Sequence, residues 1–426
     1  MKSLIKLCSG LFLTTSLLTM TGCDKLADVQ PEPANNGTAR VGDFGISNGG
    51  FDVALFASKI EAQLTNKVTG YGYRIIVNGK PYTVGTGGDG FARHLIDAPG
   101  RIYTPTVRQD IGGSTQFLTA MLVMKILERY NLSVDEKVWP YLPTYFKPSL
   151  DFKKVTFRDL LAHTSGVIDY NNANDITIED VQDSVENGIY DQGEETNIGG
   201  LSSGPKPYGQ YYNQPMNYML LRHAIVYVEA KKSPNNNGLD FLMLKESRAD
   251  KSGLYDLVRH TFKNHIAYDI LQPAGWTKDQ AEAVGDYAYD SEPLVKYYPV
   301  AHPTQPGSNA IGTGWSKIGA SFLYLSADEM GRIMTAARAG KIVSPAVLSK
   351  MKAGDGKGNQ MGFDDAIAGQ HGKYYYKKGV GSGGNVIVID FDGPQANIQL
   401  AITTNNANGL VTNAQTWATA FDASWK

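Results

Sequence analysis

The sequence predicts an α+β fold, with an antiparallel sheet flanked by helices from both chain ends and a mainly helical region inserted between them. A hairpin signal at residues 78–79, two strands near the C-terminus and an all-round apolar helix between them carry this prediction. Phe51, Leu55, Phe56, Ile60 and Leu64 recur at helical spacing until Gly70 stops the pattern. Residues 71–77 and 81–84 then flank Asn78-Gly79, the dipeptide that best accepts the positive φ angles of a type I′ turn. Residues 118–130 are apolar on nearly every face, which marks a buried helix whose N-terminus lies at Gly113 to Gln116. Thr156-Phe157-Arg158-Asp159 and Ser326-Ala327-Asp328-Glu329 read as capping boxes, the first opening a helix that should end at Gly166. The acidic, glycine-bearing stretch 175–204 reads as a solvated loop. Strands at 385–391 and 398–404, joined through Asp392-Gly393, and an amphipathic helix at about 413–425 complete the domain. Terminal helices packed on one sheet are the simplest arrangement, with the helical insert at roughly 105–310.

The first residues point to export. Lys2 and Lys6 precede an apolar run, residues 7–18, which leads into Met20-Thr21-Gly22-Cys23. This is the pattern of a secretion signal over residues 1–22 ending in a lipoprotein cleavage box, with a run too short to span a bilayer and Cys23 as the expected lipid attachment point. Residues 23–50, with Pro31, Pro33, Asn35, Asn36 and Gly37, have too little apolar content to pack and read as a tether, which leaves 51–426 as the folded domain. The expected location is the bacterial cell envelope, with the membrane as a partner through the lipid on Cys23. Cys8 leaves with the signal, so the domain has no disulfide and no cysteine-based metal site. The chain has 40 basic and 42 acidic residues, and losing Lys2 and Lys6 brings the net charge to −4. No basic stripe interleaves with aromatics, so nucleic acid is not an expected partner. Neither a metal nor a cofactor is expected.

Four segments occur in a telling order and spacing: 111–120, Ile-Gly-Gly-Ser-Thr-Gln-Phe-Leu-Thr-Ala; 155–166, ending His163-Thr164-Ser165-Gly166; Leu271-Gln272-Pro273-Ala274-Gly275-Trp276; and Gly319-Ala320-Ser321 running into 326–330. From about Phe51 to Trp425 the chain resembles the serine β-lactamase and D-alanyl-D-alanine carboxypeptidase family, in its class C-like branch that also contains esterases. The resemblance implies a mechanism in which a serine attacks a carbonyl and a lysine one helical turn later helps remove its proton. A tyrosine of a Y-x-N loop relays protons, and a K-x-G strand holds the substrate.

In this register Gly113 stands at the serine and Gln116 at the lysine. Glycine has no side chain to attack with, and an amide neither titrates usefully nor accepts a proton as a base. Ser114 is the nearest alternative nucleophile, but one residue along a helix rotates a side chain by about 100° and its third neighbour is Phe117. Tyr211-Tyr212-Asn213 has the Y-x-N form, whereas a gapless alignment of the following helix puts Asn213, Gln214 and Pro215 at the motif, and both registers stay open. Lys377-Lys378-Gly379 fits the third motif, with Lys377 placed to hold a carboxylate and Gly379 to keep the strand edge open to an extended ligand. His163 and Ser165 are set aside as a hydrolytic pair, because residues so close in sequence rarely aim at each other.

The leading expectation is an envelope lipoprotein with impaired catalysis that binds a peptidoglycan-like peptide or another small acyl compound in its cleft. Its binding residues would be Gly113, Gln116, Asn213, Lys377 and Gly379, with Ser114 and Tyr211 as the remaining catalytic candidates. An active serine hydrolase using Ser114 or a rearranged nucleophile is the alternative, and a structural or partner-binding surface protein is the third reading.

Overall fold

The computed structural model describes residues 50–82, 87–168, 176–187, 189, 206–233, 242–246, 251–277, 295–309, 317–321, 323–381, 383–393 and 397–426. The expected leader and tether, with Cys23, lie outside the described residues. Asn78 and Gly79, at φ of 50° and 80°, make the left-handed turn that joins β1 (Gly70–Val77) to β2 (Lys80–Tyr82). The other strands of the main sheet are β3 (Gly88–Arg93), β4 (Arg101–Ile102), β7 (Asp365–Gly369), β8 (Gly372–Gly381), β9 (Gly384–Asp392) and β10 (Asn397–Thr404). They lie in the order β4-β3-β1-β10-β9-β8-β7, with β2 beside β1 and every pair antiparallel. The two halves of the chain therefore meet at β1 and β10, in register from Tyr71 opposite Thr404 to Val77 opposite Ile398. A separate two-stranded ribbon pairs β5 (Gln109–Asp110) with β6 (Tyr324–Leu325).

Both faces of the central strands are covered, so β9 and β10 are buried along almost their whole length. On one face α1 (Val53–Leu64) and α9 (Ala414–Asp422) pack through Phe56 and Phe421 on Phe391, whose ring stacks on Phe421 with centroids 4.0 Å apart. Val386 and Val388, one residue out of phase, join the core of the helical region on the other face. That core is built on α2 (Thr115–Arg129), buried from Thr115 to Met124, and on α5 (Pro215–Lys232). Around them lie α3 (Phe157–Leu161), α4 (Ile178–Glu186), α6 (Lys251–His265), α7 (Ala327–Arg338) and α8 (Pro345–Ala353). Both predicted capping boxes form, with Thr156 and Ser326 accepting from the N–H groups of Asp159 and Glu329 and those carboxylates bonding back.

Two expectations need correction. The helix opened by Thr156 ends at Leu161, not Gly166, because His163 takes a φ of 57° and turns its carbonyl to the N–H of Tyr212. Part of the acidic stretch is no solvated loop: it forms α4, capped by Thr177, with Ile178, Val181 and Val185 buried. The helix opened by Ser326 runs as α7 and is followed by α8, so helical material reaches β7.

Candidate active site

The site lies where the start of α2 meets the edge of β8. A short 3-10 turn, Gly112–Ser114, leads into α2, and Asp110 fixes it by accepting from the Gly112 N–H at 2.8 Å. Gly112 has a φ of 50°, and a Cβ there would run into the Val380 carbonyl. The turn thus sits directly on β8. Gly379 serves the same approach, since a Cβ on it would strike the Ile111 carbonyl and come within 2.7 Å of Ser114 Oγ. Gly379 therefore admits the protein's own helix start, not an extended ligand as its sequence position suggested.

Ser114 is fully buried in this seam, and its Oγ has no hydrogen-bond partner among the described residues. It neither caps α2 nor lines the cleft. A rotation of about 100° away from the expected nucleophile position explains this placement.

The cleft beside the seam has a volume of about 690 Å³. Gly113, Gln116, Tyr211, Asn213 and Lys377 all line it, so the sequence-predicted set is brought together except for Ser114 and Gly379. Both open registers of the tyrosine motif contribute, Tyr211 at 38% exposure and Asn213 beside it. Gly113 differs sharply from its neighbour Gly112. A Cβ on it would meet only the Lys378 carbonyl oxygen, at 3.4 Å, so the place of the missing nucleophile is open space.

Behind it stands a buried polar chain that the sequence did not suggest. Lys377, 1% exposed, donates to Gln116 Oε1 at 2.7 Å and to Asp364 Oδ1 at 2.6 Å. Asp364 also accepts from the Lys378 N–H at 2.8 Å, and its own N–H donates to the Tyr376 carbonyl at 2.9 Å, which extends the edge of β8. The carboxylate held by Lys377 is therefore internal, Asp364, rather than a ligand's. His163, on the far side of Gln116, accepts at Nδ1 from the Gln214 N–H and from Asn217 Nδ2. Burial, and then the Lys377 ammonium, hold its pKa well below the ordinary imidazole value, so the ring is neutral and Nε2–H donates to Gln116 Oε1 at 3.1 Å. Two donors converge on one amide oxygen, which fixes the orientation of Gln116. Its Nε2 has no partner among the described residues.

Tyr211 packs edge-on against His163, with centroids 5.9 Å apart. Burial, reinforced by the charge of Asp364, raises its phenol pKa, so at neutral pH it offers an O–H rather than a base. Asp110, Lys317 and Ser321 also line the cleft, as do Asp365 of β7 and Tyr376 and Lys378 of β8. Among the described residues no group of three or more His, Cys, Asp or Glu could hold a metal ion. Sequence reasoning missed Asp364 and His163. Asp364 has no motif, and the H-T-S-G segment gave its only signal through a left-handed residue that is visible in three dimensions alone.

Known proteins give the arrangement its context. The family model described as Beta-lactamase matches residues 56–225. Teichoic acid D-alanine hydrolase of Staphylococcus aureus is 24% identical over 295 residues, covering 69% of this chain and 60% of that protein. The match thus spans less than two thirds of the curated relative. Among solved structures, FmtA from Staphylococcus aureus superposes with a TM-score of 0.60 at 18% identity, over 89% of this chain and 90% of that one. The D-amino acid amidase from Ochrobactrum anthropi gives 0.59 at 14%, over 87% and 97%. The penicillin-binding protein homologue from Pyrococcus abyssi gives 0.55 at 18%, over 85% and 76%. Likenesses at these identities establish the fold.

Proposed function

This chain carries a β-lactamase family domain with the fold of penicillin-binding-protein-like proteins, and on that premise we propose an envelope-anchored protein that binds an acyl compound in its cleft without running the family's acyl-transfer reaction. The open space at Gly113 carries this reading. Acyl transfer needs a nucleophile and a base within reach of it. Here the nucleophile's place is empty, the base's place holds an amide, and the nearest ammonium is neutralised by Asp364. Tyr211 keeps its proton, and Ser114 faces the strand.

What remains suits binding. The cleft is lined by amide, phenol and ammonium donors around a space large enough for a dipeptide-sized ligand. The names of two relatives, a teichoic acid D-alanine hydrolase and a D-amino acid amidase, make D-amino acyl compounds, including peptidoglycan-like peptides, the class to test first. The leader over 1–22 and Cys23 support lipid anchoring in the envelope. Among the described residues no helix is long and apolar enough to cross a membrane.

Incubating the full-length protein with a fluorophosphonate and with a penicillin, then measuring intact mass, tests the proposal. Unchanged mass is expected, together with saturable binding of N-acetyl-D-alanyl-D-alanine by calorimetry. A covalent adduct with either reagent would overturn the non-catalytic reading in favour of a serine hydrolase, and failure to bind any D-amino acyl probe would overturn the binding reading.

A further inference from the structure

Resting on the acyl-binding reading above, we infer that Gln116 turns the place of the missing nucleophile into a recognition site for a ligand's terminal carboxylate. One carboxylate oxygen occupies the space over Gly113 and accepts a hydrogen bond from Gln116 Nε2. Three independent observations converge on this.

The first is orientation. Gln116 Oε1 receives Lys377 Nζ at 2.7 Å and His163 Nε2 at 3.1 Å. Flipping the amide would set its NH₂ against an ammonium and an imidazole N–H, so the oxygen stays in the wall and the nitrogen is the end a ligand meets. The second is an unmet donor. Gln116 is 3% exposed, lines the cleft and has no partner for Nε2 among the described residues. Its Nε2 opens on the cleft, so it can donate to a ligand oxygen placed there. The third is room. Beyond the Gly113 Cα the nearest obstacle to a Cβ is the Lys378 carbonyl oxygen at 3.4 Å, so an atom fits where a serine side chain would have stood.

Donor chemistry selects the ligand class. An amide NH₂ repels an amine and accepts nothing, which excludes a ligand donor at this spot. Lys377 contributes little net charge because Asp364 pairs with it. Lys317 and Lys378 line the same cleft together with Asp110 and Asp365, so these charges balance, and an anionic oxygen is favoured over a neutral carbonyl because it is the stronger acceptor for the amide N–H. The site therefore reads the free acid end of an acyl chain, the group that remains after hydrolysis, in the place where the family's mechanism would have attacked.

Two substitutions in the full-length protein test this. Gln116→Glu keeps an oxygen for Lys377 and His163 but replaces the cleft-facing donors with a negative charge. Gly113→Ala preserves the backbone and puts a methyl group in the open space. Calorimetry would compare N-acetyl-D-alanyl-D-alanine with its C-terminal amide. Wild type should prefer the acid, and each variant should weaken acid binding by about tenfold or more while melting near the wild-type temperature. Equal binding of acid and amide by wild type, or variants that bind the acid as wild type does, would overturn the inference and leave the acyl-binding reading standing. Wild type that binds neither probe would overturn both.

Discussion

Asp364→Asn should destabilise the domain far more than an exposed ion-pair substitution, because Asp364 neutralises a cation that has nowhere else to go. The side chains of Lys377 and Asp364 are 2% and 10% exposed, and they meet at 2.6 Å. At that distance and an effective dielectric of about 20, Coulomb attraction is about 6 kcal/mol, most of it offset by the desolvation of both groups. Removing the negative charge leaves the desolvation of Lys377 unbalanced, with only neutral amide oxygens, that of Gln116 and that of the new asparagine, to receive it. The expected loss is about 3 kcal/mol. Lys377→Met should cost less, about 1–2 kcal/mol, since Asp364 keeps the Lys378 N–H at 2.8 Å and reaches solvent. The double variant should recover about 2 kcal/mol relative to the sum of the singles. Urea unfolding followed by circular dichroism, at constant m-value, measures all three. Additive effects, or a loss below about 1 kcal/mol for Asp364→Asn, would show that Lys377 is solvated and that the internal pairing is not what silences it.

Gly112→Ala should cost at least about 2 kcal/mol, from a left-handed φ and a collision with the Val380 carbonyl, whereas Gly113→Ala one residue later should be tolerated; thermal melts of the two variants would contradict the seam geometry if they matched. Acidification should also weaken the fold. His163 and His223 are buried and neutral, the latter lowered to about 3 by burial and then by Arg222, so the unfolded chain binds protons below about pH 6.5 that the folded chain refuses. Stability should fall with decreasing pH by about 1.4 kcal/mol per unit for each ring, and a flat urea-unfolding profile between about pH 7 and 5 would show the rings to be protonated in the folded state.

Features written in adjacent residues were legible in the sequence. The Asn78-Gly79 turn and the Thr156 and Ser326 capping boxes each depend on a few consecutive side chains and their own backbone, so the pattern and the physics coincide. The cleft-lining places of Gly113, Gln116, Tyr211, Asn213 and Lys377 were legible through the resemblance, which carries register along the chain. Asp364 was not, because nothing local distinguishes it from Asp365; only the pairing of β7 with β8 brings its carboxylate under Lys377. Ser114 and Gly379 misled for a related reason. Each is an ordinary site residue in one dimension, and only the close approach of the 3-10 turn to β8 shows that they face each other. His163 was judged by its sequence neighbours, whereas its partners, Gln116 and Asn217, lie 47 and 54 residues away.

The meeting of β1 and β10 also sets the order in which the molecule can be completed. Thr404 Oγ1 donates to the Gly70 carbonyl across 334 residues, and Lys426 N donates to the Gly50 carbonyl at 2.7 Å. A chain made from its N-terminus offers the edge of β1 to solvent until its central partner appears, which follows only after the whole helical region. Pairing so distant in sequence is slow, and an unpaired apolar strand edge invites the wrong neighbour. Loss of the segment from Asn397 onward would thus strike the middle of the sheet rather than trim its border.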